Sequence, residues 1–258
     1  MNNGFSFASV ILSYFLVGGG MFAATLVAGY LEITSEAVLY GLLAAGAFVG
    51  GFVAARASRG STILEPAIGA VAVVATIVGL AAGTPFGKLI WHSAQDETMR
   101  FVGAVSAAGV VGALLGAFLS EKALGEATRS SIPWFLYSAL SSFGACLLIT
   151  LLGSIVMLND SVAARTTNEQ GAMVLIGIGA GCLISGLAIG ASARVRPLIA
   201  AALGGGVGVA GYFALLARAQ GDSKDVLGVM LVFGIGGVIV TLIGTALGWS
   251  TVGRRTAA

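Results

Sequence analysis

Eight apolar stretches, each long enough to cross a bilayer, follow one another with short connections at roughly 10–31, 37–55, 64–83, 99–119, 133–158, 171–191, 197–217 and 226–249. A hydrocarbon core about 30 Å thick is crossed by a helix of about 20 apolar residues. Lipid offers no partner for backbone N–H and C=O groups, so an open sheet is excluded. The fold class predicted is an all-α, polytopic transmembrane helix bundle of about eight spans.

Composition agrees. Asp, Glu, Lys and Arg make up 9% of the chain, against about a quarter in a soluble domain, and the mean hydropathy is +1.00. No water-soluble surface can be built from that. The run from Val10 to Leu31 has no Lys or Arg before it, exceeds a signal-peptide core and lacks a small-x-small cleavage site, so it reads as the first span.

Pro66, Pro133 and Pro197 open the third, fifth and seventh stretches, where a helix has no use for the missing N–H. With the N-terminus inside, the cytoplasmic connections hold Arg56, Arg59, Lys122, Arg129, Arg194, Arg196, Arg254 and Arg255. The other side holds Lys88, Arg100, Arg165, Arg218 and Lys224 with most of the acids. Basic residues favour the cytoplasmic side, which places both termini there, in a bacterial inner membrane. Trp134, Trp249 and Trp91 fall near helix ends and read as headgroup-level anchors.

The stretches form an internal repeat. Gly103, Gly109 and Gly112 match Gly228, Gly234 and Gly237 at an offset of 125 residues. Ala45, Gly46 and Gly51 match Ala180, Gly181 and Gly186 at an offset of 135, with Arg59 on Arg194 and a proline opening the next helix in each half. Gly20 and Gly29 match Gly144 and Gly153 at 124. Units with an even number of spans share one orientation, which is the parallel-repeat arrangement. The first unit is 1–124 and the second 125–258, joined through SEKALGEATRSS from Ser120 to Ser131.

The 40 glycines lie inside apolar runs. Small residues let helices approach closely in lipid, and Gly46, Gly51, Gly103, Gly109, Gly112, Gly116, Gly181, Gly186, Gly228, Gly234 and Gly237 are the expected helix-packing positions. The block GGFVAARASRG from Gly50 to Gly60 and the helix after it resemble small four-span glycine-rich bacterial membrane proteins of the YrzE type, here tandemly duplicated. That resemblance implies no chemistry and no functional residue.

Few residues could carry a reaction. Gly18-Gly19-Gly20 and Gly204-Gly205-Gly206 lack the Lys-Ser/Thr of a phosphate loop and the strand context of a dinucleotide site. One histidine and no spaced carboxylate pair leave no catalytic set, so neither an enzyme nor a cofactor nor a nucleic-acid partner is expected. Cys146 and Cys182 read as buried inert thiols.

Two places remain. Glu65, beside Pro66 at a helix start, reads as a cap for the helix dipole or as a coupling carboxylate; Arg100 opens the fourth span. The connection TPFGKLIWHSAQDE from Thr84 to Glu97 gathers Lys88, Trp91, His92, Asp96 and Glu97. It reads as an interfacial segment or lid, or as a metal or pH site around the imidazole. Hydroxyls within spans, among them Ser13, Thr25, Ser106, Ser138, Ser141, Ser142, Thr150, Ser185 and Thr241, either line a path or bond across helices.

Two functional classes follow. One is a transporter- or channel-like protein that passes a small uncharged solute between the two repeats. The other is an accessory subunit, or a homo-oligomer, that meets other membrane chains through glycine faces such as Gly103, Gly109, Gly112 and Gly116. The lipid bilayer is a partner in either case.

Overall fold

The structure, a computed structural model, describes residues 5–58, 63–85, 88–89, 94–124, 132–193, 196–219 and 226–253. Among these residues helix is the only regular structure, and eight helices are long and apolar enough to cross a membrane. They are α1 (Phe7–Tyr30), α2 (Glu36–Ala57), α3 (Leu64–Gly83), α4 (Gln95–Leu124), α5 (Ile132–Val156), α6 (Thr167–Ser192), α7 (Leu198–Ala219) and α8 (Val226–Gly253). The protein is a multi-pass integral membrane protein.

Helix boundaries follow local chemistry. The Ser6 side chain caps α1 by accepting from the Ser9 N–H. Thr166 and Glu169 form a reciprocal capping box at the start of α6, which satisfies two backbone donors that a helix start leaves orphaned. Pro133 is the second residue of α5, Pro66 the third of α3, and Pro197 immediately precedes α7, so each proline sits where no backbone bond is lost. Between α5 and α6 the chain makes one further helical turn, Asp160–Ala163; the Asn159 side chain caps it by accepting from the Ser161 N–H and hydroxyl.

The first four helices close a ring in the order α1–α2–α4–α3, and the last four close one in the order α5–α6–α8–α7. The rings meet chiefly where α1 lies on α5, with α6 also against α1. Backbone-to-backbone approach sets these contacts. A methyl on Gly46 would strike the Gly20 carbonyl, one on Gly51 the Ala113 carbonyl, and one on Gly116 the Phe48 carbonyl. The second ring is held the same way, Gly244 against Leu183 and Gly248 against Leu187.

These contacts fix which positions correspond. Gly51 meets Ala113 and Gly116 meets Phe48 as Gly186 meets Thr241 and Gly244 meets Leu183. With α2 set on α6 at 135 residues, these contacts set α4 on α8 at 128, not at the 125 of the glycine match. Gly112 accordingly packs on Ala44 of α2, whereas Gly237 packs on Val209 of α7. For α1 and α5 the packing offset is 125: Ser13 touches Gly69 as Ser138 bonds Ala201, and Gly20 meets Gly46 as Ala145 meets Gly181. The match of Gly20 with Gly144 is thus shifted by one residue.

Gly103 is a further correction. It is exposed, and a methyl there would meet nothing. Gly228 is half-buried. Gly109 meets the Met21 side chain, and Gly234 meets Ala210. Trp134 is also not a headgroup anchor: it is 6% exposed and packs edge-on against Tyr137, inside a cluster with Leu12, Leu16 and Ile189. Trp249 lies half-buried against the same cluster.

Candidate functional site

The seam between the rings, where the sequence pattern set a path, is apolar and filled. Phe15, Val73, Ala145 and Leu148 occupy it, and Gly19 and Gly144 close it by direct backbone contact. Nor are Gly112 and Gly116 free for a partner chain, because α2 already covers them.

Polar groups instead concentrate inside the second ring. Ser138, Ser142, Cys146 and Thr150 recur every fourth residue on α5. Residues four apart share one helix face, and this row runs for about 18 Å at 1.5 Å per residue. Ser138 donates to the Ala201 carbonyl of α7 at 2.6 Å. One position round the helix, Ser141 shares a 2.5 Å hydrogen bond with Ser185 of α6. At the far end Thr150 meets the Tyr212 hydroxyl at 2.6 Å. Between them Cys146 of α5 and Cys182 of α6 lie in one buried cluster.

From the opposite side α8 contributes Thr241 and Thr245. Thr241 lies against the backbone of Gly205, and Thr245 against those of Gly186 and Gly190. Ser138, Ser141, Ser142, Ser185, Thr241 and Thr245 are all fully buried. The hydroxyls of Ser142, Thr241 and Thr245 make no hydrogen bond. Such an orphan is costly, about 1–3 kcal/mol each. In the first four helices Ser13, Thr25, Ser58, Thr76 and Ser106 avoid the cost by bonding back to the carbonyl four residues earlier, whereas the buried Ser9 and Ser120 hydroxyls, near helix ends, bear it.

The first ring matches the row only in part, with Ser13 and Thr25 in the places of Ser138 and Thr150. At the packing offsets of 125, 135 and 128, Ser142 corresponds to Val17, Ser185 to Gly50, Thr241 to Ala113 and Thr245 to Ala117. The three partnerless hydroxyls of the second ring thus have the apolar Val17, Ala113 and Ala117 in their places in the first. Sequence reading picked out Ser142, Ser185 and Thr241 singly. The four-residue spacing on α5 was the signal that gathers Ser138, Ser142, Cys146 and Thr150; Ser185 and Thr241 join them through the ring order, and Thr245 was missed.

The other candidates separate. Glu65 is 4% exposed, in the first turn of α3, and accepts from the Ser6 backbone N–H at 3.2 Å. It ties the starts of α1 and α3 together. In the outer connection Lys88, Asp96 and Glu97 are exposed, while Trp91 and His92 lie outside the described residues. Asp96 and Glu97 occupy the first turn of α4, where the helix dipole favours an anion. Among the described residues no three metal-ligating side chains come together.

No protein-family model, curated protein or solved structure matches this chain.

Proposed function

We propose that this is a transporter- or channel-like membrane protein for a small, uncharged, hydrogen-bonding solute, with its path along the hydroxyl row of the second ring. The observation that carries this reading is the set of three fully buried hydroxyls, on Ser142, Thr241 and Thr245, left without partners among the described residues beside the paired Ser138, Ser141, Ser185 and Thr150. Buried polar groups in native proteins are nearly always satisfied. A solute or water passing along the row would supply the missing bonds.

The absence of charge inside the row fits an uncharged cargo, since an ion would meet no compensating group there. In the structure the row is closed at one end by Tyr212, Phe213 and Phe233, the last two stacked at 3.8 Å. Passage on this reading requires that these rings move. We further propose that the two rings are copies of one four-helix unit, 1–124 and 125–258, of which only the second conducts, and that both termini face the bacterial cytoplasm.

Stopped-flow shrinkage of proteoliposomes with water, glycerol and urea tests the path. Wild-type protein should exceed empty vesicles for at least one solute, and Thr241→Val, which keeps shape and removes the hydroxyl, should slow it several-fold. Flux equal to empty vesicles for all three would remove the reading.

A further inference from the structure

The first ring holds a cavity of about 300 Å³, enclosed by α1 to α4 with α5 at one edge. Met21, Leu43, Val74, Ile77, Phe101 and Val105 make most of its wall. The hydroxyl in it, on Thr25, is turned back onto the Met21 carbonyl at 3.1 Å, so nothing polar is offered to a guest. Apolar cavities half this size stay dry and take apolar ligands.

The second ring shows what a filled counterpart looks like. At the packing offsets, Gly18 and Val105 of the cavity wall correspond to Phe143 and Phe233. Phe233 stacks on Phe213, and Thr150, the counterpart of Thr25, is bonded to Tyr212. The chain plugs that ring with its own aromatic side chains and leaves the first ring open. Two of the wall residues, Thr25 and Phe101, are exposed and form the rim. Both lie within the spanning helices, Thr25 five residues before α1 finishes and Phe101 six after α4 begins, so the rim opens near the boundary of the apolar layer, within reach of lipid.

We infer that this cavity binds one acyl chain of a membrane lipid, which does for the first ring what Phe143, Phe213 and Phe233 do for the second. A hydrocarbon chain matches an apolar wall that faces lipid, and the bilayer supplies it at a concentration no dissolved ligand approaches.

The full chain in phosphatidylethanolamine and phosphatidylglycerol vesicles doped with acyl-chain diazirine lipid tests this, with adducts mapped by mass spectrometry. Leu43 and Val74, buried in the cavity wall, should be labelled several-fold above the sealed Leu12 and Leu148 and comparably to the lipid-facing Ile235. Val105→Phe, which copies the second ring, should lower labelling of Leu43 and Val74 several-fold and leave Ile235 unchanged. Leu43→Ala, which widens the cavity, should keep the labelling of Val74. Labelling of Leu43 and Val74 at the level of Leu12 would overturn the inference, as would labelling that survives Val105→Phe. So would a stoichiometric apolar molecule other than lipid in the purified chain. If Val105→Phe fails to fold, the wild-type ratio and Leu43→Ala decide.

Discussion

The Cα of Gly144 lies where a side chain on Gly19 would have to go, and this single contact draws α1 and α5 together between the two rings. Neither helix can retreat, because α1 is held by α2 and α3 and α5 by α6 and α7. Gly19→Leu should therefore destabilise the protein by about 1–3 kcal/mol, the cost of overpacking a tight core. Gly103→Ala, at an open helix surface, should be neutral or stabilising by up to about 1 kcal/mol, the difference in helix propensity. Reversible unfolding in mixed micelles reads both.

Ser141 and Ser185 join α5 to α6 by a buried hydroxyl pair. Hydrogen bonds between helices in lipid average about 0.6 kcal/mol. A double-mutant cycle with Ser141→Ala and Ser185→Ala should return a coupling near that value. A coupling of zero would mean that each hydroxyl finds its own backbone when the other is removed.

Glu65 accepts from the Ser6 N–H while almost wholly buried. Glu65→Gln keeps an acceptor oxygen and should cost little. Glu65→Ala leaves the Ser6 donor unpaired and should cost about 1–3 kcal/mol. The two variants would behave alike, both losing flux at unchanged stability, only if the carboxylate served coupling rather than packing.

Cys146 and Cys182 share one buried cluster in the interior of the second ring. Both are buried, out of reach of water and reagent, and buried structural cysteines are inert. Maleimide added to intact vesicles should modify neither, and denaturation should expose both. Rapid labelling in the native state would show water reaching the middle of the row.

The spans were legible because length and polarity decide them. Every stretch marked in the sequence coincides with one of α1 to α8 to within a few residues, and the prolines fall in or beside the first turns. The register between α4 and α8 was not legible from glycines. With 40 of them in the chain, a slip of three residues still pairs glycine with glycine, Gly109 with Gly237 and Gly116 with Gly244. A constant offset counts identities, whereas packing depends on which way each residue faces. Three residues turn a helix by 300°, which moves Gly237 from the face toward α6 to the face toward α7.

The hydroxyl row was half legible. Its members stand four apart in plain sequence on α5, but Thr241 and Thr245 join them only through the ring order, which no local pattern announces. The cavity of the first ring was not legible at all, because it arises from what Gly18 and Val105 lack rather than from anything they carry. Trp134 misled for a related reason: its place near a helix end suited a headgroup anchor, and only the neighbouring ring shows that Leu12, Leu16 and Ile189 enclose it.

α1 is the most enclosed of the spans, 56% buried over its apolar window against 17% for α8, and it leaves the ribosome before the other seven. Its flank toward α5 and α6 must wait in lipid until those helices are made. It can wait cheaply, since Leu12, Phe15, Leu16 and Gly19 on that flank carry no polar side chain. Assembly thus runs against synthesis. The earliest helix reaches its final surroundings only after the sixth has inserted, so a nascent chain halted after four spans holds its hub half wrapped, and the two rings mature together despite their separate designs.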